Sequence, residues 1–75
     1  MSETKYDVVL VALRNRVEIM KAIMAVNPVG LKRSKDMADN PPAVVISGVS
    51  RDKAEKAKDI LEKAGGTIVI REIQT

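Results

Sequence analysis

Three segments of the chain are rich in β-branched and aliphatic residues and therefore predict β-strands. They are Tyr6–Leu13, Ala43–Ser47 and Thr67–Ile73. In the first segment apolar residues occupy successive positions, which is typical of a strand that is covered on both faces. We therefore predict that the first strand lies in the centre of a sheet.

Two helices are predicted between the first and second strands. Asn15 is a suitable N-cap for a helix over Arg16–Val26, and Pro28 follows its end because the residue before a proline disfavours the α region. The apolar side of this helix consists of Ile19, Ala22, Ile23 and Val26. A second helix is predicted over Leu31–Asp39, where two consecutive prolines close the pattern.

A third helix is predicted after Ser50, which is its N-cap. Its apolar stripe at helical spacing consists of Ala54, Ala57, Ile60, Leu61 and Ala64. Gly65 and Gly66 end this helix before the last strand begins. This is the clearest amphipathic pattern in the chain.

The resulting order β-α-α-β-α-β predicts an α+β, two-layer fold. Two short helices return the chain antiparallel to the first strand, and a right-handed crossover through the third helix makes the third strand parallel to the second. The first strand then lies between the other two, in a three-stranded antiparallel sheet with all three helices on one face. We assign residues 1–75 to a single domain because this length has room for one.

The composition argues against enzymatic chemistry. The chain has no cysteine and no histidine, so a structural zinc site is excluded along with two common catalytic groups. It also lacks a phosphate-binding glycine loop, since Gly65 and Gly66 end a helix. We therefore predict no catalytic residue, no metal, no cofactor and no enzymatic activity.

Charge and hydropathy narrow the choice of partner and location. No segment resembles a secretory signal, and no apolar run approaches the ~20 residues of a membrane span. We therefore expect a cytoplasmic protein without membrane contact. The net charge of +3 is too small to indicate nucleic-acid binding by itself. Tyr6 is the only aromatic residue, so the chain offers a single aromatic side chain on which a base could stack. Nucleic acid is not the expected partner.

The first helix is apolar on a second side as well. Opposite its core stripe, Val17, Met20 and Met24 fall together with Lys21 beside them. One possibility is that the methionines fill space under the second helix. The other is an adaptable strip that binds an acidic, apolar partner helix. The basic rim of this strip is Arg16, Lys21, Lys32 and Lys35.

The side of the sheet that faces away from the helices, here called the outer sheet face, is also predicted to be apolar. Residues expected to face the helices are Val8, Leu10, Val45, Ile68 and Ile70. Alternation then directs outward Val9, Val11, Val44, Ile46 and Val69. An antiparallel sheet normally shows polar residues to water, so we predict that a second copy or another partner covers this face. The alternative is that this apolar face stays exposed to water and no partner covers it.

Four segments of the chain resemble the C-terminal domain of the bacterial large-subunit ribosomal stalk protein. They are NRVEIMKAI at 15–23, GLKRSKD at 30–36, GVSRDKAE at 48–55 and LEKAGG at 61–66. The similarity extends from about Tyr6 to Arg71. It implies a β-α-α-β-α-β fold and a domain that binds GTP-hydrolysing translation factors through its first two helices.

The resemblance implies a binding surface on the first two helices, here called the helical surface. Matched by position are Arg16, Met20, Lys21, Gly30, Leu31, Lys32 and Lys35, and the apolar strip adds Val17 and Met24. The chain departs from the family pattern at several positions. Met24 replaces a basic residue, Pro28 a glycine and Arg33 a glutamate. Charged residues expected on the outer sheet face are Val11, Ile46 and Val69 here.

The leading hypothesis is a stand-alone relative that binds a translation GTPase. We expect it to lack the family's N-terminal dimerisation domain and hinge, because the first strand begins by Tyr6. The alternative is a homodimer with a non-ribosomal partner, paired through the outer sheet face. A third hypothesis, RNA binding through the basic rim, predicts a steep salt dependence. The fold is also that of the Clp protease adaptor, but that family's histidine and acidic pocket are missing.

Overall fold

The computed structural model describes residues 4–74 and has the predicted order of elements. The elements are β1 (Thr4–Leu13), α1 (Arg16–Val26), α2 (Leu31–Asp39), β2 (Ala43–Val49), α3 (Arg51–Lys63) and β3 (Gly66–Gln74). The second and third strands are longer than predicted because Val49 pairs with Tyr6 and Gly66 pairs with Leu13.

The sheet has the order β2-β1-β3, and β1 runs antiparallel to both of its neighbours. The prediction of a central first strand is therefore confirmed. Four consecutive residues of β1, Asp7 to Leu10, are buried, so both faces of the strand are covered in its middle. This explains why apolar residues occupy successive positions of the segment instead of alternate ones.

The hydrophobic core lies between the sheet and the helices. Val8 and Leu10 of β1 have no exposed surface, and neither do Ile19 of α1 and Leu61 of α3. Further core residues come from every helix and from both edge strands: Ala22, Ile23, Met37, Ala38, Val45, Ala54, Ala57 and Ile68. All three helices thus cover the same face of the sheet, as predicted.

Side chains cap two of the helices as the sequence predicts. Asn15 accepts a hydrogen bond from the backbone N–H of Glu18 at 3.2 Å, and Ser50 accepts one from Lys53 at 3.3 Å. Each bond satisfies a first-turn N–H that has no partner inside its helix. The caps therefore fix where α1 and α3 begin relative to the strands that precede them.

The connection from α3 to β3 is closely packed against the core. A Cβ atom on Gly66 would lie 2.7 Å from Ile19 Cδ1 and 3.1 Å from the backbone oxygen of Leu61. No larger residue fits there without movement of its neighbours. Gly66 therefore allows β3 to start directly beneath α1, in addition to ending the helical pattern.

Strand β2 departs from regular alternation. Val9 lies opposite Val44 while Val8 lies opposite Ile46, so β2 has one extra residue at this point. A second register shift follows towards Val49. As a result Ile46 is half-buried and packs against the core. The prediction that Ile46 faces outward is wrong, because the bulge shifts the alternation by one position.

The outer sheet face is also less open at its centre than predicted. Val9 is only 8% exposed, although Val8 and Leu10 on either side of it point into the core. It lies opposite Val44 on one neighbouring strand and Val69 on the other, and their side chains cover it. The prediction that Val9 is part of the accessible surface is therefore wrong.

Candidate protein-binding site

Helices α1 and α2 form an antiparallel pair that carries the helical surface. Arg16, the first residue of α1, forms an ion pair with Asp39, the last residue of α2, with 2.9 Å between Nη1 and Oδ1. At the other end, Asn27 Nδ2 donates a hydrogen bond to the backbone oxygen of Val45 at 3.1 Å. The ion pair thus joins the start of α1 to the end of α2, and the hydrogen bond joins the end of α1 to β2.

A small polar residue lies buried in the second helix. Ser34 has no exposed surface, and its hydroxyl donates to the backbone oxygen of Leu31 at 2.8 Å. Its hydrogen-bonding capacity is therefore used inside its own helix. A serine at this position lets α2 pack closely while the residues around it point outward.

The two most exposed large apolar side chains within residues 4–74 belong to the helical surface. Val17 is 58% exposed and Leu31 is 64% exposed, more than any other large hydrophobic residue that the structure describes. Met20 is half-buried and packs against the core, and Met24 is also half-buried. Met20 thus fills space in part, while Val17 and Leu31 are the most accessible apolar contacts for a partner.

Basic side chains surround these apolar contacts. Lys32, Arg33 and Lys35 are exposed and form no ion pair with any residue between 4 and 74. Lys21 lies 4.0 Å from Glu18, at the limit of an ion pair, and is 68% exposed at its side chain. Since such an exposed pair contributes little, the lysine remains available to a carboxylate of a partner.

Gly30 fixes the geometry at the start of α2. Its φ of 86° lies in the left-handed region that favours glycine, and α2 has no side-chain cap. Nothing lies within 4 Å of the position of an added Cβ, so the constraint is in the backbone and not in packing. The residue therefore shapes the turn that presents Leu31 and Lys32.

The outer sheet face has an apolar part that is exposed. Its accessible members are Val11, Val44 and Val69. A register shift leaves Val11 without a partner on β3. Three partly exposed valines form a patch well below the ~800 Å² per partner of a standard interface. The exposed apolar patch thus needs additional polar contacts to support a stable dimer.

A buried carboxylate lies at the other end of the outer sheet face. Asp7 is 5% exposed and accepts hydrogen bonds from the Ser47 hydroxyl at 2.5 Å, the Gly48 N–H at 3.3 Å and Arg71 Nη2 at 3.1 Å. The bond from Ser47 lowers the pKa of the Asp7 carboxyl, and Arg71 and Gly48 act in the same direction against the effect of burial. This half of the face is polar, in contrast to the prediction.

Comparison with known proteins identifies the family. Residues 6–71 match the family model described as the ribosomal protein L7/L12 C-terminal domain. The chain belongs to this family. The large ribosomal subunit protein bL12 of Nitrosococcus oceani is 39% identical over 70 residues, which cover 92% of this chain and 56% of that protein. The bL12 protein of Yersinia pestis strain Pestoides F is 40% identical over 70 residues, with 92% and 57% covered.

These matches confirm the resemblance that the four sequence segments indicate. The L7/L12 C-terminal-domain family model covers both helices that carry the helical surface, the whole of β2 and most of β1 and β3. The chain spans a little more than half the length of the curated bL12 relatives that it matches.

Two features of this L7/L12-type domain were not predicted. Asp7 stands in an apolar strand segment, and a carboxylate in such a position is itself a signal of a buried polar cluster. Ile60 was predicted to lie in the core stripe of α3 but is 41% exposed. It precedes Leu61, which has no exposed surface, and neighbouring positions on a helix differ by about 100° in direction.

The described part of the chain contains neither a metal-binding cluster nor a membrane-spanning helix. No group of three potential metal-binding side chains in residues 4–74 is arranged to hold a metal ion. None of the helices in that range is long enough and apolar enough for a membrane crossing. The candidate binding surfaces that the sequence predicts are the helical surface and the outer sheet face.

Proposed function

We propose that this L7/L12-type domain is a non-enzymatic, cytoplasmic module that binds GTP-hydrolysing translation factors through the helical surface. Membership of the family supports a role in translation. The observation that carries the proposal is the exposure of Val17 and Leu31 together with the exposed lysines of the basic rim. Of these lysines, Lys32 and Lys35 form no ion pair within residues 4–74. The proposed contact residues are Arg16, Val17, Met20, Lys21, Met24, Gly30, Leu31, Lys32 and Lys35.

The arrangement suits a partner surface that is acidic and apolar. The two exposed aliphatic side chains would enter apolar depressions of the factor, while Lys21, Lys32 and Lys35 would meet its carboxylates. Charges at the rim act mainly on the association rate and are screened by salt. We therefore expect a weak complex whose association slows as the ionic strength rises.

The proposal is tested by titrating isotopically labelled protein with a bacterial elongation factor and following the backbone amide shifts. The expected result is a set of shifts confined to residues 16–35. Replacing Lys21→Glu together with Lys35→Glu should abolish them. The matched control is Lys58→Glu with Lys63→Glu, which changes the net charge equally on α3 and should leave binding intact. An unperturbed spectrum at high factor concentration would refute the proposal.

A second candidate function is a homodimeric interaction domain with a non-ribosomal partner. The exposure of Val11, Val44 and Val69 on the outer sheet face favours it. Light scattering at tens of micromolar protein tests it, with Val44→Lys as the variant that should convert a dimer to a monomer. A monomeric mass for the unmodified protein would reject this alternative.

A further inference from the structure

A small groove lies between the end of α1 and the exposed side of α3, here called the α1–α3 groove. It has a volume of about 180 Å³. Its lining residues are Ala25, Val26, Lys53, Lys56, Ala57 and Ile60. None of them belongs to the helical surface or to the outer sheet face, so the groove is a separate feature of the molecule.

The floor of the α1–α3 groove is apolar. Val26 is half-buried and packs against the core, while Ala57 is buried beneath the groove. Ile60 is 41% exposed at its edge, although its position in α3 continues the apolar stripe. The spacing of Lys53, Ala57 and Ile60 places them on one side of the helix. An exposed isoleucine beside an apolar floor offers a contact for an aliphatic side chain.

The rim of the groove carries cations without carboxylate partners. Lys53 and Lys56 form no ion pair with any of the residues that the structure describes. Two carboxylates of the same helix are already engaged: Glu55 with Arg51 and Asp59 with Lys63, each at 3.0 Å. Asp52, which lies one turn before Lys56, forms no ion pair with either lysine in the described structure. Both ammonium groups are therefore available to carboxylates of a partner.

The volume of the groove decides the kind of occupant. It is smaller than the ~300 Å³ at which pockets for small molecules and cofactors begin. It suits one anchoring side chain of a protein segment, since anchors of this kind fill well-packed depressions. The apolar floor requires that the anchor be aliphatic, and the two free lysines require that carboxylates flank it.

We propose that the α1–α3 groove is a second docking site, which binds a partner segment with an aliphatic anchor flanked by carboxylates. Ile60 and Val26 contact the anchor, and Lys53 and Lys56 receive the carboxylates. The groove adjoins the helical surface along α1, since Ala25 lies one turn after Lys21. The α3 side chains Lys53, Lys56 and Ile60 belong to the groove alone, so substitutions in α3 test it separately. The site does not depend on the identity of the partner of the helical surface.

The test uses a synthetic amphipathic peptide in which leucines at helical spacing are flanked by glutamates. Titrated into labelled protein, it should shift the backbone amides around Ala25, Lys56 and Ile60. The same peptide with lysine in place of each glutamate should cause no shift, because it meets the rim lysines with like charge. Shifts confined to α1 and α2, with α3 unperturbed, would overturn the proposal, as would an unperturbed spectrum at millimolar peptide.

Variants of α3 distinguish binding of the peptide in the groove from a general effect of the protein's net charge. Ile60→Ala should weaken peptide binding about fivefold or more, and Lys53→Ala with Lys56→Ala should do the same. The matched control is Lys58→Ala, which removes a lysine from the far side of the same helix and should change affinity less than twofold. Equal weakening by the control would show that net charge, and not the groove, binds the peptide.

Discussion

Arg71 and Asp7 lie directly opposite each other on β3 and β1, and 3.1 Å separates Nη2 of the arginine from Oδ2 of the aspartate. The other carboxylate oxygen accepts from Ser47 and Gly48 of β2. One carboxylate thus links all three strands of the sheet. Strands β1 and β2 shift register between the pairs Tyr6–Val49 and Val8–Ile46. The bonds to Asp7 supplement the pairing of the two strands at this irregular position.

Replacing Asp7→Asn should destabilise the domain by about 1–3 kcal/mol. The amide keeps the size of the side chain but cannot accept three charge-assisted hydrogen bonds at a buried position. Urea unfolding at neutral pH measures the change. Arg71→Gln is the comparison, and its effect should be at most ~1 kcal/mol because the arginine side chain is 60% exposed. Equal losses for the two variants would contradict the central role of Asp7.

The same carboxylate makes stability depend on pH in the acidic range. Its pKa is lowered in the folded protein, chiefly by the hydrogen bond from Ser47. Its stabilising contribution is therefore present above the unfolded pKa of ~3.9 and is lost as the pH falls through the lower folded pKa. Unfolding curves between neutral pH and pH ~2 should show a smaller loss of stability for Asp7→Asn than for the unmodified protein. Parallel profiles would exclude this linkage.

Gly66→Ala should destabilise the domain by about 1–3 kcal/mol through overpacking against Ile19 Cδ1. The cause can be isolated by adding Ile19→Val, which removes that atom and alone costs about 0.5–1.5 kcal/mol. In the double variant the two losses should not add, because the smaller residue makes room for the new methyl group. Additive losses in urea unfolding would mean that Ile19 Cδ1 is not the limiting contact. The backbone oxygen of Leu61, 3.1 Å from the added atom, would then set the space at this position.

The order of elements and the central strand could be predicted because each depends on local pattern. The prolines and glycines mark the ends of the helices, and the apolar run through Val8 and Leu10 is covered on both sides. The outer sheet face could not be predicted in the same way. Whether Ile46 points inward depends on a bulge, and a bulge is a property of two strands paired in register. Alternation within one strand contains no information about it.

The helical surface illustrates the same limit. Sequence spacing places Val17, Met20 and Met24 on one side of α1, but it does not distinguish the exposed valine from the half-buried Met20. That difference arises where α2 and the sheet cover part of the helix. The spacing of Ile60 likewise matches the core stripe, whereas only the position of α1 relative to α3 decides how much of it stays exposed. Tertiary packing, and not periodicity, sets these exposures.

Val17→Asp and Leu31→Asp should each weaken binding of a translation factor while leaving the fold intact. Both side chains are more than half exposed, so substitution should change stability by only ~0.5 kcal/mol. The new carboxylates would also repel an acidic partner surface. Amide-shift titration with an elongation factor measures binding, and urea unfolding of the same samples measures stability.

Met20→Asp is the comparison variant for Val17→Asp and Leu31→Asp, because Met20 is less exposed than either residue. Met20 packs against the core and is also a proposed contact residue, so a carboxylate there should reduce stability as well as binding. If Val17→Asp and Leu31→Asp lose binding at unchanged stability, the loss belongs to the contact itself. If binding follows the folded fraction in all three variants, the exposed aliphatic residues do not form the interface and the proposed use of the helical surface is wrong.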